Sequence, residues 1–258
     1  MRYTLQVQYI GKNYAGSQIQ FENGKQIETP TIQGELEKAL STLIIGGSNT
    51  ANINRLVKTV FSGRTDKGVN AVGQVVHFDT DKSMVASKFV YQLNEILPDD
   101  ISVSDLKEVD GEFHAQKSAK RRFYRFVFVN RKCKNAFDGD LMRVKYPINI
   151  EKMQKALDFI KGEHDFSSFK SSGTLNPSKI CFIEKATCQR DGDKVIIDIV
   201  GNRFLYNMVR TIVGTLLEIE GHNLPAEHMK QVLDACDRRK AGQTVSPNGL
   251  TLMKVEYN

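Results

Sequence analysis

The chain has no tryptophan, and only four cysteines and six prolines among its 258 residues. The cysteines, Cys133, Cys181, Cys188 and Cys236, include no closely spaced pair, so the ligand spacing of a zinc site is missing. None of His77, His114, His164, His222 and His228 forms a helical metal-binding pair or stands beside a cysteine, which argues against a metal cofactor. No run approaches the roughly 20 apolar residues that cross a bilayer. The N-terminus passes straight into the alternating Tyr3-Thr4-Leu5-Gln6-Val7-Gln8-Tyr9, which is unlike a signal peptide. A cytoplasmic protein with reduced thiols is therefore expected. Also missing are the Gly-x-Ser-x-Gly elbow of a serine hydrolase and the glycine-rich Gly-Lys-Ser/Thr loop that cradles phosphates.

The bulk composition is that of an ordinary soluble globular protein, 40% hydrophobic and 26% charged. A net charge of +6 and a sequence pI of about 9.0 lean toward an anionic partner. The length suffices for one large domain or two modest ones. Strand and helix patterns alternate along it. Ile32, Leu36, Ala39, Leu40, Leu43 and Ile44 make a helical stripe over 31–45, and strand patterns follow at 56–61 and 73–79. A helix over 84–97 is stopped by Pro98, a strand starts at Ile101, and Phe123–Val129 reads as a strong strand. Asn149 caps a helix ending near Gly162; strands near 182–190 and 194–200 precede a long helix from Arg203 to about Glu220. A shorter helix over 226–237 and a last strand over 250–257 complete the reading. Short connections between strands predict an α+β chain of two fused halves, 1–115 and 116–258, with a cleft where they meet.

The stretch Phe61-Ser62-Gly63-Arg64-Thr65-Asp66-Lys67-Gly68-Val69-Asn70-Ala71 admits two readings. Asp-Lys-Gly is good turn chemistry, so the segment can be a plain connection between strands. It can also hold a reactive carboxylate, since Arg64 and Lys67 flank Asp66 and favour its ionised form. An anionic carboxylate suits a nucleophile or the stabilisation of a sugar cation. Two other segments could serve such a group. On the helix from Arg203, the side chains Arg203, Tyr206, Asn207 and Arg210 oppose an apolar face, as a solvated surface or with Arg210 as the partner of a buried anion such as Asp66. Lys117 to Lys134 carries Lys120, Arg121, Arg122, Arg125 and further cations, without one acidic residue, interleaved with Phe123, Tyr124, Phe126 and Phe128. Charge for phosphates and rings for unstacked bases make a nucleic-acid groove; a half-buried strand with solvated cations is the plainer alternative.

These segments together resemble the TruA-type tRNA pseudouridine synthases, over nearly the whole chain and in the same order. Gly63-Arg64-Thr65-Asp66-Lys67-Gly68-Val69 resembles the family's catalytic loop, whose aspartate is the nucleophile. Tyr9-Ile10-Gly11 through Gly16-Ser17-Gln18, Thr31-Ile32-Gln33 through Leu40, Leu97-Pro98-Asp99-Asp100-Ile101, Phe113-His114-Ala115 and Gly162-Glu163-His164-Asp165-Phe166 are similar to other family segments. Tyr124-Arg125-Phe126 lies where the family has the strand whose tyrosine stacks on the target base. Gly201-Asn202-Arg203-Phe204-Leu205 through Met208-Val209-Arg210 resembles the helix whose arginine pairs with the aspartate, and Pro247-Asn248-Gly249-Leu250-Thr251-Leu252 the final strand beside the site. The chain departs from the pattern at Asn70 (usually histidine), Ile10 (usually aspartate) and Ser17 (usually aromatic).

The resemblance implies two ferredoxin-like halves fused into one mixed, mostly antiparallel sheet, and a homodimer acting on uridines 38, 39 and 40 of the tRNA anticodon stem-loop. It makes Asp66, Tyr124 and Arg210 the catalytic group. Arg64, Lys120, Arg121, Arg122, Arg203, Asn207 and Leu250, with Tyr124, are then candidate substrate contacts. Breaking and remaking one bond consumes no electrons or phosphate energy, so no cofactor is expected. The rival reading is a non-catalytic ferredoxin-like RNA-binding protein, which would explain the basic strand but not a carboxylate set among cations.

Overall fold

Alternation along Tyr3, Leu5, Val7 and Tyr9 puts four apolar side chains on one side of strand β1 (Arg2–Tyr9), and all four are buried. The computed structural model describes residues 1–22, 25–26, 28–46, 57–171 and 178–258. The chain forms two units, Met1–Lys120 with Leu252–Asn258, and Arg121–Thr251.

In the first unit β1 is followed by a small hairpin, β2 (Phe21–Glu22) and β3 (Lys25–Gln26), and by helix α1 (Ile32–Ile44). Then come β4 (Thr59–Phe61), β5 (Asn70–Asp79), helix α2 (Ala86–Ile96) and β6 (Ile101–Val109). The sheet order is β6-β1-β5, with β4 also on β5, and every pairing is antiparallel. A β-α-β-β-α-β chain in this order is ferredoxin-like. Position 56 of the expected strand lies outside the described residues. The last strand, β12 (Leu250–Glu256), runs beside β5, so closely that a Cβ on Gly73 would lie 2.4 Å from the Met253 carbonyl oxygen.

Helix ends follow the local chemistry. Thr31 caps α1 by accepting the Gly34 N–H. Helix α2 stops at Ile96 because Pro98 forces Leu97 into extended backbone. The Glu37 side chain on α1 is fully buried and accepts from the Thr59 N–H at 2.9 Å, from the Thr59 hydroxyl and from Gln33, while Lys58 approaches within 3.3 Å. This carboxylate fastens the start of β4 to α1, and β4 leads into the loop of Asp66.

The second unit contains β7 (Arg121–Asn130), β8 (Arg143–Val144), α3 (Ile150–Asp158), β9 (Gly162–Asp165), β10 (Ile180–Asp191), β11 (Lys194–Gly201), α4 (Met208–Gly221) and α5 (His228–Ala235). Its strands run β7-β11-β10-β9, antiparallel, with β8 parallel to β7. Asn149 caps α3 as expected. Phe126, Phe128, Ile183, Ile197 and Ile199 from the strands meet Met153, Leu157, Ile212 and Met229 from the helices in a dry core. Each such side chain contributes about 1.5–3 kcal/mol relative to exposure. Each unit is thus α+β, in agreement with the expected class. All four cysteines are free, and burial raises the Cys181 thiol to about 11 and Cys188 to about 12, which keeps both protonated. Among the described residues no helix is long and apolar enough to cross a membrane, and no three His, Cys, Asp or Glu side chains form a group able to hold a metal ion.

One buried titratable group gives the first unit a pH dependence. His77 on β5 is 4% exposed, and its Nδ1 accepts the Ala115 N–H at 3.1 Å. Burial, then Arg2 and the neighbouring His114, lower its pKa from 6.5 to about 4. The unfolded chain therefore binds a proton between these values that the folded chain refuses, and stability falls as pH drops from 6.5 toward 4. This group should cost up to about 3 kcal/mol over that window. Denaturant titrations at pH 7 and pH 4.5 should show the loss, and His77→Gln should reduce it.

Candidate active site

The loop between β4 and β5 is tied down at Ser62, Gly63, Thr65, Asp66 and Val69. Ser62 donates to the side-chain carbonyl of Gln74, and the Gln74 amide donates to the Gly63 carbonyl at 3.0 Å. Gln74 is fully buried, so this one side chain braces both flanks of the loop entrance. The Thr65 N–H donates to the Ser17 hydroxyl at 2.8 Å, and the Thr65 carbonyl accepts the Ser17 N–H at 3.1 Å. Tyr9 and Thr65 join hydroxyls at 2.8 Å. Burial pushes the Tyr9 phenol up to about 12, against the opposing effect of its bonds to Thr65 and Gln74, so it keeps its proton. Gly16 pairs with Asp66 as an isolated antiparallel bridge. The Asp66 carbonyl accepts the Val69 N–H at 3.1 Å, with Gly68 at a φ of 82°, a turn that favours glycine.

The turn reading and the carboxylate reading of this stretch are therefore compatible: the turn shapes the loop that carries the acid. Thr65 and Val69 point inward and are buried; Arg64 and Lys67 are exposed; Asp66 between them is half-buried. The segment packed on the loop is moored in turn. Tyr14 donates to the Asp100 carboxylate, Asp100 accepts the Ile10 N–H through its carbonyl, and the Gly11 N–H donates to the Asn70 side chain at 2.9 Å. A Cβ on Gly11 would stand 2.1 Å from the Val69 carbonyl oxygen, so only glycine permits this approach. Two of the three departures from the family pattern, Ser17 and Asn70, thus hold the loop, while Ile10 is exposed.

In the second unit Tyr124 is half-buried at the end of the row that continues into Phe126 and Phe128, and its ring meets Phe204 edge-on at 5.0 Å. Phe126 and Phe128 are core, as the plainer alternative had it. Several cations of the 121–131 segment are paired with groups supplied by other parts of the second unit. Arg125 forms a fork with Asp198, directly opposite on β11, at 2.8 and 2.9 Å. Arg121 reaches Glu184 at 3.2 Å, Arg131 bonds Asp193 and Asp138, and Arg122 donates to the Asn202 carbonyl. The run lacks acids in sequence but acquires them in space. Lys120, the last residue of the first unit, is exposed.

The helix expected from Arg203 begins only at Met208. Asn207 adopts left-handed backbone, φ 62°, which asparagine tolerates better than most residues and which breaks the helical path there. Arg203, Tyr206 and Asn207 accordingly lie on the preceding turn, with Arg203 donating to the Ser178 carbonyl at 3.4 Å. Arg210 is on the helix and is oriented by two bonds: Nε to the Val245 carbonyl at 2.8 Å and Nη1 to the Asn207 side-chain carbonyl at 2.7 Å. The Asn207 amide donates to Ser171. Gly214 on α4 packs directly on the Gln243 carbonyl oxygen, which would lie 1.8 Å from a Cβ there. Leu250 is buried at the start of β12.

A family model described as tRNA pseudouridine synthase matches residues 156–258. The protein "tRNA pseudouridine synthase A" of Thermoanaerobacter sp. (strain X514) is 39% identical over 256 residues, covering 97% of each chain. The protein of the same name from Brevibacillus brevis is 38% identical, covering 96% of each, and that from Halalkalibacterium halodurans is 41% identical, covering 96% of this chain and 90% of its own. The chain belongs to the tRNA pseudouridine synthase A family. Its expected isomerase class and family resemblance agree with this membership. The reading missed the bracing by Gln74 and Ser17; a lone glutamine inside the apolar run Ala71–Phe78 was the available signal for the first.

The Arg210 anchor is testable through its neighbour. Gly214→Ala would force the 242–244 segment off α4 and strain the Val245 bond that orients Arg210. A cost of about 3 kcal/mol is expected from overpacking against backbone, read by chemical denaturation.

Proposed function

We propose that this chain isomerises uridine to pseudouridine in the anticodon stem-loop of tRNA, at positions 38, 39 and 40, with Asp66 as the reacting carboxylate. The coarser part rests on family membership: the protein is a tRNA pseudouridine synthase, an isomerase. Support for the residue-level reading comes from one observation above all. A half-buried carboxylate sits between exposed Arg64 and Lys67 on a loop whose backbone is fastened on both sides. A pure RNA binder gains nothing from an acid so placed, since it repels phosphates.

In this reading the target nucleotide leaves its stack at a cost of a few kcal/mol. Arg64, beside Asp66, occupies the vacated space or holds a phosphate. Asp66 then attacks the ribose or promotes departure of the base as an anion. The base turns against the Tyr124 ring and rejoins the sugar through carbon. Tyr124 is also a candidate base for the proton that this carbon loses. Arg210 is assigned as the counter-charge of Asp66, and Arg203, Asn207 and Leu250 as substrate contacts. The bond broken and the bond made balance, so no electrons are transferred and no cofactor is required. We further assign a homodimer working in the cytoplasm.

The direct test uses unmodified tRNA and pseudouridine mapping at single-nucleotide resolution. Wild-type protein should modify positions 38 to 40. Asp66→Asn and Asp66→Ala should lose turnover by at least about 10³-fold while retaining tRNA affinity. Substantial modification by either variant would end the assignment of Asp66. Modification elsewhere in the tRNA would end the anticodon assignment alone.

The basic strand makes a separate prediction. If Lys120, Arg121 and Arg122 contact phosphates, replacing each by Ala flattens the logarithmic salt dependence of tRNA affinity by about one unit. Arg125→Ala should leave that slope unchanged, because its fork is closed on Asp198. Tyr124→Ala should cost about 1–3 kcal/mol of affinity at every salt concentration. Unaltered slopes for Lys120, Arg121 and Arg122 variants would move the RNA off this strand.

A further inference from the structure

We propose that Ser17 is a positioning residue for Asp66, a role resting on the assignment of Asp66 as the reacting carboxylate. Ser17 has no solvent exposure, so it touches no substrate. It nevertheless engages both backbone groups of Thr65, the residue immediately before Asp66: its hydroxyl accepts the N–H at 2.8 Å and its own N–H donates to the carbonyl at 3.1 Å. The neighbouring Gly16 bridges to Asp66. The two peptides that lead into Asp66 are each held by one of these contacts, Arg64–Thr65 through the Thr65 N–H and Thr65–Asp66 through the Thr65 carbonyl, and rotation of either would re-aim Asp66.

The other side of Ser17 is fixed to the start of α1. Its carbonyl accepts the Gln33 N–H at 2.9 Å, and the Gly16 carbonyl accepts the Ile32 N–H at 3.3 Å. Ser17 is therefore a two-sided link between a helix and the catalytic loop. A side chain without an acceptor oxygen at this position would leave the buried Thr65 N–H without this bond. Gly16 sustains the close contact with a φ of 131°, and a Cβ there would press on the Thr65 carbonyl oxygen at 3.0 Å.

Removing the hydroxyl orphans the buried Thr65 N–H and frees the Arg64–Thr65 peptide, while the backbone bond from the Ser17 N–H remains. The experiment compares single-turnover rate, tRNA affinity and melting temperature for wild type, Ser17→Ala, Ser17→Thr, Asp66→Asn and His77→Gln. His77→Gln serves as a destabilised control away from the loop. The expected result is that Ser17→Ala loses about 10- to 100-fold in rate, since small misplacements of reacting groups cost this much. Its tRNA affinity should stay within about two-fold, and Ser17→Thr, which keeps an acceptor oxygen, should recover most of the rate. A wild-type rate for Ser17→Ala beside an inactive Asp66→Asn overturns the role of Ser17 and leaves that of Asp66 standing. A rate loss in His77→Gln equal to that in Ser17→Ala at matched destabilisation also overturns it, as general softening. An active Asp66→Asn removes the premise itself. Should Ser17→Ala fail to fold, Ser17→Cys, similar in shape but a weak acceptor, replaces it, and a wild-type rate there counts against the proposal.

Discussion

The reciprocal pair of hydrogen bonds between Ser17 and Thr65 is the constraint on which the conformation of the Asp66 loop depends. Loops at the surface are ordinarily the mobile part of a fold. This one has little freedom left, because Gln74 holds its entrance, Ser17 and Tyr9 hold its middle, and the Asp66–Val69 turn and Asn70 hold its exit. Buried backbone groups must find partners, and here Gln74 of β5 serves the Gly63 carbonyl and Ser17 serves both groups of Thr65, in place of a continuous ladder. The buried Glu37 extends the chain of restraint backward, tying the start of β4 to α1. A loop fixed this way holds the Asp66 backbone in one conformation, and under the role proposed for Asp66 that spares the reaction the entropy of finding it.

Charge follows a different rule in the second unit. A run of cations without an acid looks in sequence like a field awaiting phosphates. In the fold, Arg125, Arg121 and Arg131 each meet a carboxylate from a segment remote in sequence. Cross-strand pairing of this kind costs little in water and stabilises modestly, because the groups stay partly solvated. It narrows the question of RNA contact from the whole segment to a few residues, with Lys120 exposed beside them.

Much of this was legible in the sequence because its signals are local. The stripe Ile32–Ile44, the stop before Pro98, the cap at Asn149 and the alternation of β7 each depend on neighbours within a turn or two. The Asp66 loop was legible as a candidate because Arg64, Lys67 and the flanking glycines are adjacent. The start of α4 was not, since the pattern from Arg203 is helical and only the left-handed backbone of Asn207 breaks it. Nor was the close packing at Gly214 readable, because the Gln243 carbonyl that meets it comes from a segment well further along the chain. The Ser17–Thr65 and Arg125–Asp198 pairs join positions separated by 48 and 73 residues, beyond any periodicity argument.

Unit by unit, the same device recurs around the groups assigned to chemistry. Arg210 is a flexible side chain, yet its plane is set by the Val245 carbonyl and by Asn207, whose own backbone is held in an unusual conformation. Left-handed backbone at a residue other than glycine costs energy that the surrounding contacts must offset. Asn207 offsets it by bonding Ser171 with its amide and Arg210 with its carbonyl. That arrangement does nothing for the hydrophobic core, which α4 supplies on its own through Met208, Ile212 and Leu216. Restraint placed on a polar side chain, at the cost of local strain and without gain in burial, is better explained by the need to aim a charge than by the need to fold. Asp66 lies on an irregular loop, and Arg210, though on α4, is held by partners from irregular segments, so it is the loops rather than the sheet that orient both groups of the proposed site.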